Sequence, residues 1–297
     1  MPKIADALLM FVPEHWGQVE RFIRFYSHTY SLSDRDQRAV VGVRNHFDKA
    51  ARLLKLAQKL RPNLMIDHEQ LETQGFTPAA NGAEIATVLE ASILELYSCL
   101  DCMVKVLRAI YGKTSRGFKA DSTRAVLQAP NKITGSFPDV LKTAIVGAGW
   151  TKRLMNLRDE LTHLATGNIH LDAATGAVRY DHRSLKEADQ PLSIEDIYGW
   201  LQTTADQVNA LTGLVFHHLN QTLIDRESYE TCGMVQGRFL WRYVSPVGEL
   251  TFNSGRCGAW IWFEKPDMPT CPFVGACGAY QRKAPAPAGD LLPVLKP

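Results

Sequence analysis

Residues 83–111 read AEIATVLEASILELYSCLDCMVKVLRAIY. Ile85, Val88, Leu89, Ile93, Leu96, Leu100, Val104 and Leu107 recur there at steps of three and four, which places them on one face of an α-helix. Gly112 follows as a C-cap residue. A single long helix is therefore predicted at the centre of a mainly α fold.

The same periodicity extends outward from this helix. Upstream, Val19, Phe22, Ile23 and Tyr26 sit at helical spacing. A longer helix is predicted after Ser33, an N-cap residue with Asp34 and Asp36 in the first turn. It carries Val40, Val43, Phe47, Ala50, Leu54 and Ala57 on one stripe, and Arg61-Pro62-Asn63 should end it. Glu72 to Gly82, with Gly75, Pro78 and Asn81, reads as a loop or linker. Downstream, residues 113–136 read as an irregular basic connection. Pro138–Val146 and Trp150–Leu164 are predicted helices separated by Gly147-Ala148-Gly149. Asn168–Leu171 and Ala177–Tyr180 flank Asp172–Gly176, a small hairpin signal. Ser193 is expected to cap a last helix to about Leu223, with Ile194, Ile197, Leu201, Val208, Leu211, Leu214 and Val215 inward.

After residue 228 the pattern changes. Phe239, Trp241, Tyr243, Leu250, Phe252, Trp260, Trp262 and Phe263 alternate over short spans punctuated by Gly and Pro, the signature of a small β-rich module. The expected organisation is an N-terminal helical region (1–80), a helical domain (83–224), a β-rich module (228–283) and a flexible Pro/Ala-rich tail (284–297).

Composition bounds the function. With 45% hydrophobic and 22% charged residues, the 297-residue chain has material for a core and the balance of an ordinary globular protein. Its formal net charge of +2 does not itself argue for a nucleic-acid partner, so any such partner must be met by a local patch. The apolar stretch Ala7–Val12 is short and broken by Pro13 and Glu14, so no signal peptide is expected, and no run approaches a membrane span. Six cysteines in a chain of this length make no disulfide framework, which points to reduced thiols and a cytoplasmic protein.

The segment Asn156-Leu157-Arg158-Asp159-Glu160-Leu161-Thr162-His163-Leu164 carries the chemistry. Arg158 is a permanent cation that can grip a phosphate in two places, and His163 can exchange a proton near neutral pH. Asp159 lies four residues before His163, within reach of the imidazole on a helix, and Thr162 could add a phosphate contact. Five residues separate Arg158 and His163 by roughly 140° on an ideal helix. They converge only if the helix ends near Thr162 or if two copies meet. The plain alternative is a set of surface charge pairs with a histidine at a helix C-terminus.

Nearby cations supply a candidate RNA-binding set: Lys113, Arg116, Lys119, Arg124, Arg179 and Arg183, with Lys105, Arg108, Lys132, His182 and Lys186 around them. A solvated loop reads almost the same. Cys99 and Cys102 fall inside a predicted helix and read as core thiols. Cys232, Cys257, Cys271 and Cys277 could form a structural zinc site, although no pair has the two-residue spacing of a knuckle. His217-His218 reads as packing or surface. There is no glycine-rich phosphate loop, nucleotide fingerprint or Gly-x-Ser-x-Gly elbow.

Arg158, Asp159 and His163, at the end of one helix and followed by a glycine-containing insertion and a long closing helix, resemble the motif of the HEPN family. The long helix 83–111, with the polar residues Glu95 and Asp101, fits the same order. The resemblance covers residues 83–224. It implies a HEPN-like helical bundle that forms a homodimer and places two Arg–His pairs across a shared cleft. It also implies a metal-independent endoribonuclease of the toxin or defence type, needing no cofactor for catalysis, with RNA as substrate and an unidentified regulatory or neutralising partner. Many relatives keep the fold without activity, so the alternative is a non-catalytic dimerisation, interaction or nucleic-acid-binding protein.

Overall fold

The computed structural model describes residues 7–118 and 122–285. These divide into two compact units, one within Leu32–Phe216 and one drawing on Met1–Ser31 and His217–Pro297. The boundaries between them fall at 31/32 and 216/217. The described residues up to Ser31 group with the C-terminal part, and the helix after Ser33 groups with the middle. Chain order begins with β1 (Ala7–Leu9) and α1 (Gln18–Phe25).

The middle unit is built on α2 (Asp34–Leu60) and α4 (Ala80–Tyr111), joined through α3 (Leu64–Gln74). Ser33 caps α2 as expected, accepting the Asp36 N–H at 3.3 Å. α2 and α4 lie antiparallel: Ser92 Oγ donates to the Ala50 carbonyl, His46 and Lys49 hold Glu95, and Gly42 faces Cys102. The approach is close enough that a Cβ at Gly42 would stand 2.7 Å from the Cys102 sulfur. Val40, Val43, Ala50, Leu54 and Ala57 of α2 and Ile85, Leu89, Ile93, Leu96, Leu100 and Leu107 of α4 are buried between them.

The stretch expected as a linker, 72–82, is shorter than it reads. α3 runs to Gln74 and ends at Gly75, whose φ of 69° is the left-handed conformation of a helix C-cap. α4 starts at Ala80 because a carboxylate from α3 meets its first turn. Buried Asp67 accepts the Gly82 N–H at 2.8 Å and the Asn81 N–H at 3.4 Å, backbone donors that a helix start leaves open, and also the Asn81 side-chain amide at 2.7 Å.

The described residues of the basic connection 113–136 also carry regular structure. β2 (Ser115–Arg116) pairs with β3 (Thr134–Gly135), and between them α5 (Thr123–Gln128) is capped by Ser122, which accepts the Ala125 N–H at 3.1 Å. Next come α6 (Asp139–Gly147) and α7 (Thr151–His163). The hairpin gains a third strand: β4 (Asn168–Leu171), β5 (Val178–Glu187) and β6 (Gln190–Ile194) form an antiparallel meander. Ala188 and Asp189, both at positive φ (49° and 65°), make its second, two-residue turn.

Ser193 is not a helix cap. It lies in β6 opposite Asp181, and α8 (Ile197–Gln221) starts later, where Asp196 Oδ1 accepts the Gly199 N–H at 3.1 Å. Ser-Ile-Glu-Asp looks like a cap with an acidic first turn, but pairing with β5 takes Ser193 and Ile194 and leaves Asp196 to do the capping. Ile197, Leu201, Val208, Leu211 and Val215 are buried as expected, whereas Leu214 is exposed.

In the other unit, β7 (Ser228–Val235), β8 (Arg238–Val244) and β9 (Arg256–Cys257) form a sheet in the order β1-β7-β8-β9. The module is less β-rich than its aromatic pattern suggests. Trp260, Trp262 and Phe263 lie in the single turn of α9 (Trp260–Phe263), Leu250 and Phe252 are outside strands, and α10 (Gly278–Gln281) is equally short. Ala284, expected at the start of a loose tail, is buried and bonds the Cys257 carbonyl at 3.0 Å; residues 286–297 lie outside the described residues. The fold is thus mainly α with small antiparallel sheets. Among the described residues no helix is long and apolar enough to cross a membrane.

Candidate nucleic-acid interface

Tyr97, Asp101, Lys105 and Arg108 follow each other at steps of four, four and three, so they share one face of α4. Arg35 from the first turn of α2, Ser122, Thr123 and Arg124 at the start of α5, and Arg158 and Asp159 of α7 close around that face. Together they line a cavity of about 380 Å³. Five cations (Arg35, Lys105, Arg108, Arg124, Arg158) stand there against two carboxylates (Asp101, Asp159), a local formal charge of +3 in a chain whose total is +2.

Arg158 lies over the Tyr97 ring, 4.9 Å from its centroid. Its Nη1 contacts Asp159 at 3.0 Å, and Arg124 reaches the other Asp159 oxygen at 3.1 Å while donating to Asn156 at 2.8 Å. Asp101 takes Lys105 at 2.6 Å and the Thr123 hydroxyl. Each carboxylate thus spaces two of the groups around it, and the guanidiniums stay partly exposed toward the cavity. Burial, the largest influence, pushes the Tyr97 phenol above its ordinary pKa, so the ring serves as a neutral surface.

Of the expected catalytic set, the structure brings Arg158 and Asp159 together and leaves His163 apart. α7 stays helical through His163, which is exposed and does not line the cavity. The Asp159 carboxylate is engaged by Arg158 and Arg124 rather than by the imidazole. Thr162 donates to the Arg158 carbonyl at 2.7 Å, an internal helix bond and not a ligand contact. Convergence within one chain by an early helix end does not occur.

The expected RNA-binding cations also separate. Arg124 is in the cavity. Lys113 lines an adjoining hollow that shares Arg35 and Arg108 with it. Arg116 is exposed on β2, Arg183 is exposed on β5, and Arg179 pairs with Asp181 at 3.0 Å. Lys119 lies outside the described residues.

Sequence reading missed a second hollow. Gly149, Trp150, Lys152, Arg153, Asn156, Lys186, Glu187, Ala188 and Trp200 surround about 640 Å³ on the other flank of α7. Arg153 and Glu187 form a two-pronged pair at 2.8 and 2.5 Å across it. Asn156 lines this hollow and bonds Arg124 of the first, so the two meet at one residue. The available signal was the repeat of Trp and cations in Trp150-Thr151-Lys152-Arg153.

A buried polar clamp fixes the segment that leaves α7. It uses Glu90, which sequence reading passed over in favour of the partly exposed Glu95 and Asp101. One Glu90 oxygen accepts the Gly167 N–H at 2.6 Å and the Tyr180 hydroxyl at 2.9 Å. His182, fully buried, meets the Ala165 carbonyl through Nε2 at 3.0 Å and accepts the Leu185 N–H on Nδ1 at 3.2 Å. Burial raises the Glu90 pKa, against the lowering effect of its two donors and of His182.

That shift has a stability consequence. As pH climbs above about 4.5, the unfolded chain releases the Glu90 proton first and the folded chain keeps it. The folded state then holds more protons, so this residue's contribution falls as pH rises toward its raised folded value. Glu90→Gln keeps an acceptor oxygen for both donors and has no proton to lose. Its melting temperature relative to wild type is expected to climb through that window and then level off; a difference that is flat with pH would contradict the assignment.

Cys99 and Cys102 are core thiols of α4, which burial pushes upward, Cys102 to about 11. Cys232, Cys257, Cys271 and Cys277 are buried in the other unit, all lining one small cavity. As free thiols, burial pushes Cys232 to about 12 and Cys257 to about 11. Among the described residues no group of three or more His, Cys, Asp or Glu stands ready-spaced to hold a metal ion. Compared with known proteins, the chain matches no family model, no curated protein and no solved structure.

Proposed function

We propose that the middle unit binds single-stranded RNA at the Arg158 cavity and cleaves it without a metal, as a HEPN-type endoribonuclease that works as a homodimer in the cytoplasm. The observation that carries the reading is the gathering of five cations and an aromatic ring around one cavity centred on Arg158. A phosphate seated there would be held by Arg158 and Arg124, displacing part of their hold on Asp159. Single strands are bound by a cationic track beside aromatic faces on which bases stack. Trp150 and Trp200 next to Lys152, Arg153 and Lys186 supply such faces on the adjoining flank.

Cleavage needs a base for the 2′-hydroxyl, and His163 is the candidate. Because His163 is exposed and turned from Arg158, it would act on RNA held by a second copy. The test is purified protein with total RNA in EDTA. Cleavage leaving 2′,3′-cyclic phosphate ends supports the reading. Binding without cleavage favours the second reading, a non-catalytic RNA-binding or dimerisation protein, for which the separation of Arg158 and His163 within one chain is the specific observation.

The hollow's role can be read apart from catalysis. Trp150→Ala and Trp200→Ala are each expected to weaken binding of a single-stranded oligonucleotide by about tenfold or more, since one stacked base is worth ~1–3 kcal/mol. Fluorescence anisotropy at fixed salt measures it; unchanged affinity in both variants removes the hollow from the binding path.

A further inference from the structure

The segment after β8 spans about forty described residues yet holds only β9, α9 and α10, none longer than four residues. Segments this poor in regular structure usually need a staple beyond their apolar core. Three cysteines of this segment meet Cys232 of β7, and three local devices bring the four together. Cys232 is the extra residue of a β-bulge: Thr231 opposes Trp241 and Gly233 opposes Leu240, leaving Cys232 unpaired and its side chain re-aimed. Cys257 sits on β9, opposite Arg242 of β8. Cys271 and Cys277 bracket a tight turn in which Val274 N–H bonds the Cys271 carbonyl at 3.1 Å and Cys277 N–H bonds the Phe273 carbonyl at 2.9 Å.

All four line one cavity of about 10 Å³, walled otherwise by apolar groups such as Leu240, Phe263 and Phe273. That is the space of roughly one water-sized particle. A water would find few partners against such walls.

Arg242 is the second observation. It is 2% exposed, and a guanidinium cannot shed its charge. Its bonds go to the carbonyls of Phe252 (2.5 Å) and Ser254 (3.1 Å) and to the Cys277 sulfur (3.4 Å), while its Nε is buried without a partner. Its charge lies 4.3 Å from the centre of the Phe11 ring. Glu14 is near enough to feel it but spends its carboxylate on the Phe252 N–H at 2.5 Å. A buried cation set beside neutral thiols is costly; beside a negatively charged cluster it is stabilising.

We propose that Cys232, Cys257, Cys271 and Cys277 form a tetrahedral four-thiolate site for a structural divalent metal, zinc by its donor chemistry, with Arg242 as the buried counter-charge. Binding forms four metal–sulfur bonds of ~2.3 Å and releases four thiol protons to solvent. The product carries a formal charge of −2, which Arg242 reduces and whose sulfurs its N–H groups can bond. The sulfurs must close in from their present spacing, which the short turn carrying Cys271 and Cys277 can allow.

The experiment is elemental analysis of the full chain, purified reduced and without a metal-binding tag. One zinc per chain is expected, lost in Cys271→Ser and Cys277→Ser and kept in Cys99→Ser. Arg242→Gln is expected to bind zinc ~10–100-fold more weakly. Should the cysteine variants fail to fold, wild type loaded with Co(II) decides, because a tetrahedral four-thiolate site shows intense visible d–d bands and thiolate-to-metal charge transfer. A wild-type chain free of metal, whether with four free thiols or two disulfides, overturns the proposal, as does a cobalt spectrum without charge transfer.

Discussion

Gly167→Ala is expected to lower unfolding free energy by about 3–4 kcal/mol, the sum of overpacking and of a buried group losing its bonds. A Cβ there would stand 2.3 Å from Cζ and 2.4 Å from the hydroxyl of Tyr180. Tyr180 has no exposed surface and no room to retreat. Its hydroxyl and the Gly167 N–H converge on the same Glu90 oxygen, so moving either strips a donor from a buried carboxylate. For a protein of 297 residues the melting temperature should fall by about 5–6 °C. A shift of only a degree or two would mean that the clamp is not close-packed. Because the clamp holds the residues that follow His163, the variant should also impair any RNA activity through α7.

The reason this clamp escaped sequence reading is physical. Glu90 sits among apolar neighbours of α4, and nothing local tells a buried carboxylate from an exposed one. Its partners lie 77 and 90 positions away in the chain. By contrast α2, α4 and α7 were legible, since apolar periodicity and the Ser33 cap are local signals. The differences at Ser193 and at 72–82 come from contacts with another element: pairing of Ser193 and Ile194 with β5 moved the cap to Asp196, and a carboxylate from α3 moved a helix start. The pairing of β1 with β7, more than two hundred residues on, is a contact no composition shift announces. At the candidate site, Arg158, Asp159 and Arg124 were readable from charge and motif. Tyr97 and Arg35 were not, because their place depends on how α2 and α4 pack. The Trp150–Trp200 hollow joins α7 to α8 and is invisible to spacing alone.

Arg158→Ala is expected to reduce RNA cleavage by at least ~10³-fold, about 4 kcal/mol, the scale for losing a preorganised charge at a transition state. The variant should remain folded, since Arg158 is partly exposed and its contacts are a part-exposed ion pair and one face of the Tyr97 ring. His163→Ala should lose cleavage to a similar degree while keeping RNA affinity, because His163 lies outside the cavity. Mixing the two inactive variants is the sharper measurement. If each site takes Arg158 from one copy and His163 from the other, a mixed dimer of Arg158→Ala and His163→Ala chains keeps one intact site. Random exchange makes half the dimers mixed, each with one of two sites, so about a quarter of wild-type activity should return. A site contained within one chain restores none, and that outcome would require α7 to unwind before His163. Full cleavage by both single variants in nuclease-free preparations removes the ribonuclease reading and leaves the cavity as a binding site. The mixed-dimer result matters most because it turns the separation of the two residues, the strongest objection to catalysis in a single chain, into a requirement of the mechanism.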